Sequence, residues 1–292
     1  MGTATAVGSW LLVEWPLPWP PDAAEIPALA EVAHVAEGKG ARLQLVVPQS
    51  TEDKRTVVSY RRRERDGWFS GFEPFEVWAD EHAVVEVALG LLSEPTQRVP
   101  RGAGDEGNRP AHRIALVCTH GSRDVCCGSK GARVASEMLD DPRILRTSHL
   151  GGHRFAPTVL VLPEGTLWAW MDAQTVRRVL DRRGDPRDVV HHLRGCTALT
   201  PPQVQAVDVA LFSAHGWSWL DWDRRGEMLD EERVRFEARS PDGRVHAWTA
   251  KVSRSRSLPV PVCPVGEDPA GGATKFEDEF EVEGLEKADP TG

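Results

Sequence analysis

The chain alternates short apolar runs with helical stretches of wider apolar spacing. Residues 8–19 (GSWLLVEWPLPW) read as a strand closed by a proline-rich turn. Residues 23–37 repeat apolar positions about every 3.6 residues and stop at Gly38, which predicts a helix. A strand over 41–47 follows, then two β-branched and aromatic stretches at 56–62 and 67–78 that suit paired strands. A second helix is expected over 80–92, with Asp80 at its start. Residues 93–110 are rich in Pro, Gly and charge and read as a linker. The same order then returns: strand 112–118, helix 130–139, short strand 143–148, strands 155–162 and 166–171 around the turn Pro163-Glu164-Gly165, and helix 173–183. Beyond Thr200 we expect a helix over 200–215, a tryptophan-rich strand over 217–222, and a hairpin of 233–240 with 244–252. From Gly266 the acidic, Gly- and Pro-rich composition predicts a disordered tail.

This pattern predicts an α/β protein. The middle third has the β-α-β-β-β-α order of a thioredoxin-like unit, a mixed sheet with helices on both faces. The first half has a similar order, consistent with a degenerate duplication. The expected organisation is an N-terminal α/β domain (1–100), a linker (101–110), a thioredoxin-like domain (111–199), a helix and β-hairpin extension (200–265) and a tail (266–292).

Composition narrows the function. The formal net charge of -9 disfavours a phosphate-backbone partner. The basic run Arg61 to Arg65 reads as a solvated strand edge. No apolar run reaches the ~18 residues of a membrane span, and Met1 to Trp10 lacks the features of a secretory signal. A cytoplasmic protein without nucleic-acid or membrane partners is expected. Of the five cysteines, Cys118, Cys126 and Cys127 fall within ten residues. That spacing suits ligands or redox thiols better than loop staples. Cys196 and Cys263 have no such neighbours and are expected to be buried thiols.

The chemistry concentrates in CTHGSRDVCCG (118–128) and SHLGGH (148–153). Cys118 and Cys127 with His149 and His153 make a four-ligand set of the kind that holds iron or zinc. A [2Fe–2S] core accepts two histidines in place of two cysteines, although this arrangement is not the Rieske pattern. Three other readings compete: a structural zinc site in an interaction module, a thiol enzyme using Cys127 as a low-pKa nucleophile, and histidines that only satisfy turn backbones. No pair of carboxylates stands out for glycoside hydrolysis. Within the cysteine loop, His120, Arg123 and Asp124 could donate to sulfur, or Asp124 could merely hold the turn. Gly121 and Gly128 would admit backbone N–H groups close to a bound group. Trp168 and Trp170, two apart, are expected to pack together in the core.

The strings CTHGSRDVCCGSKG and SHLGGHRFAPTVLVLPEG resemble the sucrase/ferredoxin-like family of thioredoxin-like ferredoxins. The resemblance is most specific over 112–175 and looser over 8–100. It implies a [2Fe–2S] cluster held by Cys118, Cys127, His149 and His153, with Cys126 standing beside the matched position. It also implies one-electron transfer rather than sucrase activity, and a redox partner with a basic docking patch. Pro157 matches a position that is often a cis-proline in thioredoxin-like folds, so a cis Ala156–Pro157 bond is expected.

Overall fold

Residues 1–49, 53–93, 113–260 and 275–290 are described by a computed structural model. The expected linker at 101–110 and Cys263 lie outside the described residues.

The chain opens with β1 (Ser9–Glu14), α1 (Ala30–Gly38), β2 (Ala41–Val46), β3 (Lys54–Arg65), β4 (Trp68–Asp80) and α2 (Val84–Ser93). It continues through β5 (Ile114–Cys118), α3 (Ala132–Ser136), β6 (Ile144–Thr147), β7 (Val159–Leu162), β8 (Thr166–Trp168), α4 (Ala173–Asp181) and β9 (Leu193–Cys196). It closes with α5 (Pro202–His215), β10 (Asp223–Met228), β11 (Arg233–Arg239), β12 (Val245–Val260) and β13 (Lys275–Ala288). The fold is α/β, with all thirteen of these strands in one mixed sheet, ordered β13-β12-β11-β10-β4-β3-β1-β2-β6-β5-β7-β8-β9.

Two four-strand groups within that sheet have the same internal layout. In the first, β1 pairs parallel with β2 and antiparallel with β3, and β3 pairs antiparallel with β4. In the second, β5 pairs parallel with β6 and antiparallel with β7, and β7 pairs antiparallel with β8. The groups meet where β2 and β6 pair antiparallel at Val46 and Thr147. Strand β1 is apolar from Trp10 to Val13 because both of its faces are covered there. Trp10 and Leu12 enter a large core shared with β5 and β7, while Leu11 and Val13 enter a second core with Val32 of α1 and Ala88 and Leu91 of α2.

Several expectations need correction. The segment 217–222 is not a strand; residues Gly216–Asp221 form a 3₁₀ turn. Its Trp219 is fully buried and donates Nε1–H to Asp208 of α5 at 2.9 Å. Residues 275–288, expected in a disordered tail, form β13 against β12. Glutamates on that strand mask an apolar set, Phe280, Val282 and Leu285, that packs on the core. Strand β3 is internal to the sheet as far as Arg61, its last residue paired with β1, while residues 62–65 run beyond that pairing and are exposed, as a solvated edge would be. Arg61 donates to the Leu91 carbonyl at 2.6 Å, and Arg62 donates to that of Ala198 at 2.5 Å. Trp168 is buried, but Trp170 is 48% exposed: β8 ends at Trp168, and a positive φ at Trp170 breaks the alternation. Asp80 stands before α2 without a side-chain cap. Cys196 is a buried thiol whose pKa burial pushes up to about 11.

Candidate metal centre

The site forms where parallel strands β5 and β6 end together. Their register sets Cys118 opposite Thr147, and two further residues bring the chain to His149. The Cys118 N–H donates to Thr158 O at 3.0 Å. Thr158 follows Pro157, which is joined to Ala156 by a cis bond as expected. After Cys118 the chain turns back through Gly121, and residues 127–131 make a single π-helical turn ahead of α3. Such turns recur at functional sites because they redirect side chains without ending a helix.

Glycines let this loop close on itself. A Cβ on Gly128 would overlap Gly121, and one on Gly131 would overlap the Cys118 carbonyl oxygen. Asp124 is fully buried and takes the turn-holding role: its Oδ1 accepts from the N–H groups of Cys126 at 2.8 Å and Cys127 at 3.1 Å. His120 is also buried. Its Nδ1 accepts from the His149 N–H at 3.1 Å, so Nε2 carries the proton and donates to Pro20 O at 2.9 Å. Its backbone N–H donates to the Cys118 sulfur. Arg123 is exposed and lines a cavity of about 640 Å³ that also touches Arg42, His120 and His149.

The sulfurs of Cys118 and Cys127 and a ring nitrogen of His149 lie within 4.8 Å of one another. Cys118 and Cys127 are 0% and 1% exposed. Nδ1 is the His149 atom facing the Cys118 sulfur, at 3.9 Å. Cys126 is not in this group. His153 opens a short 3₁₀ turn after Gly152, which has φ +80°; its side chain lies outside the described residues.

The two thiols behave as an unequal pair. Burial opposes ionisation of Cys118, but hydrogen bonds from Cys127, His149 and the His120 N–H, with the charge of His149, hold its pKa well below the usual range. Cys127 is pushed up by its hydrogen bond to Cys118, by burial and by the negative charges of Cys118 and Asp124. A nucleophilic Cys127 would need exposure and a lowered pKa, and it has neither. Two thiolates and an imidazole converging in a buried pocket suit a zinc ion or an iron–sulfur group.

Sequence reasoning missed what holds the histidine loop. Arg42 of β2 donates to the His149 carbonyl at 2.8 Å, and Arg194 of β9 donates to that of Gly151 at 3.0 Å. Trp170 Nε1–H donates to Arg154 O at 2.9 Å. A signal was available: Arg42 and Arg194 are the charged residues of strands β2 and β9. Comparison with curated proteins and with solved structures gives no significant match. The model of the sucrase/ferredoxin-like family matches residues 1–195 of the 292, and the chain belongs to that family.

Proposed function

We propose that this protein is an electron carrier holding a [2Fe–2S] cluster on Cys118, Cys127, His149 and His153. The observation that carries the reading is the convergence of two buried cysteine sulfurs and the His149 ring within 4.8 Å. Family membership and the donor chemistry support it. When bound, the cluster would supply reversible one-electron chemistry. The chain's own residues exclude water from the sulfurs, and Asp124 and His120 fix the two ligand loops. With Nδ1 turned toward sulfur, Nε2 of His149 is the atom that would take up a proton on reduction, so the potential would fall as pH rises.

The cluster-bearing unit is thioredoxin-like in this reading, and the N-terminal half is a diverged copy of it. The shared strand order and pairing senses of the two groups support both statements. Among the described residues, no helix is long and apolar enough to cross a membrane. The net charge of -9 favours a cytoplasmic redox partner with a basic docking patch, and disfavours nucleic acid. The test is electron paramagnetic resonance of the chemically reduced, iron-loaded chain. One unpaired spin per chain, detected at low temperature, is expected. An iron-loaded chain that gives no such signal on reduction contradicts the reading. Zinc alone, bound without colour, would favour a structural module.

A further inference from the structure

The family match ends at residue 195, yet the loop carrying both histidines is braced from beyond it. Arg194 is almost wholly buried, and burial lowers its pKa to about 10. Its Nη1 holds the Gly151 carbonyl, and its Nη2 reaches Glu277 of β13 at 3.3 Å. Arg154, next to His153, donates to Glu277 at 3.2 Å and to Glu279 at 2.8 Å. The two guanidinium groups lie over the ring of Phe155, at 3.9 and 4.3 Å from its centroid. A Cβ on Gly152 would press on Phe155 and Arg194, so the loop has little room to shift.

The two like charges crowded on one ring repel each other, and the nearby Arg154 charge disfavours the charged form of the buried Arg194. Among the described residues, the carboxylates paired with them are Glu277 and Glu279. Glu279 is itself anchored on β12 by Arg256 at 2.6 Å, and β13 is tied to the start of the chain by the Phe280 N–H donating to Met1 O at 3.1 Å. We propose that β13 is a positioning element of the metal centre, with Glu277 and Glu279 acting through Arg194 and Arg154 to fix the 149–155 loop. This rests on the ligand assignment made above, but the bracing of the loop can be tested without it.

The test uses full-length chain with Glu277→Gln and Glu279→Gln together, Glu277→Gln alone, and Glu286→Gln as a control on an exposed part of β13. Hydrogen exchange is followed in the metal-free protein. Amides of 151–155 are expected to exchange about tenfold faster in the double variant, while β5 and β7 stay protected. Cobalt(II) titration is expected to show binding about tenfold weaker in the double variant and unchanged in the control. Once iron is loaded, the reduction potential should shift in the same variants. Exchange at 151–155 and cobalt affinity equal to wild type overturn the proposal. So does faster exchange confined to β12 and β13, which would mark a hairpin staple only. If the double variant unfolds, the single variant decides on the same readouts. If wild type takes up no iron–sulfur cluster, the ligand reading fails while the exchange result still decides the bracing.

Discussion

Cys118 and Cys127 are coupled by a hydrogen bond between their sulfurs in the metal-free site. Ionisation is favoured at Cys118, where three donors aim at the sulfur, and disfavoured at Cys127, which is one of those donors. Metal binding must therefore displace the proton on Cys127, which sits on a raised pKa. Below that pKa, each pH unit downward strengthens proton competition, so zinc affinity should fall about tenfold per unit across neutral pH. Titrations at several pH values check this; an affinity flat with pH would contradict the hydrogen-bonded pair. Replacing Cys118 or Cys127 with Ser should abolish metal uptake, whereas Cys126→Ser should retain it. Metal analysis of the three purified variants separates them. The cysteine and first histidine were legible in the sequence because ligands cluster locally. Arg42 and Arg194 could be noticed as charges within strands, but their target could not, because each reaches the loop across strand pairings that no local pattern encodes.

At the scale of elements, the cysteine loop works only if its backbone packs upon itself. Gly131→Ala should destabilise the chain by about 1–3 kcal/mol, because the added methyl meets the end of β5 rather than a movable side chain. Gly90, exposed within α2 with nothing near its missing Cβ, makes the opposite case. Gly90→Ala should stabilise by about 0.5–1 kcal/mol, since it reduces the backbone freedom lost on folding. Chemical denaturation measures both, and equal signs would contradict the packing account. Periodicity found the central strands and helices because both faces of the sheet are covered. It failed where side-chain spacing carried two meanings. Tryptophans at 217 and 219 fit a strand by alternation, yet Trp219 is drawn under α5 by Asp208 and the segment turns as a 3₁₀ helix. In β13 the glutamates looked like the composition of a solvated tail, because their arginine partners lie far away in sequence.

For the whole molecule, the C-terminal strands extend the sheet through β10, which joins β4 at Arg224 opposite Phe69. Arg224 and Asp208, 1% and 2% exposed at their side chains and 2.9 Å apart, lock α5 to that junction. Asp208→Ala would leave a buried guanidinium unpaired and the Trp219 N–H without its acceptor. A loss of about 3–5 kcal/mol is expected. A loss below ~1 kcal/mol would mean that water reaches Arg224. The same extension reaches the histidine loop through β13, where Glu277 and Glu279 pair with Arg154, so sheet growth and loop geometry are linked. The central claim remains that two cysteines and two histidines hold a [2Fe–2S] cluster. Its most direct test is the visible absorption spectrum of protein purified without oxygen, with iron and sulfide determined on the same sample. The account predicts broad bands between roughly 400 and 600 nm and about two irons and two sulfides per chain. A chain that stays colourless after reconstitution with iron and sulfide would contradict it.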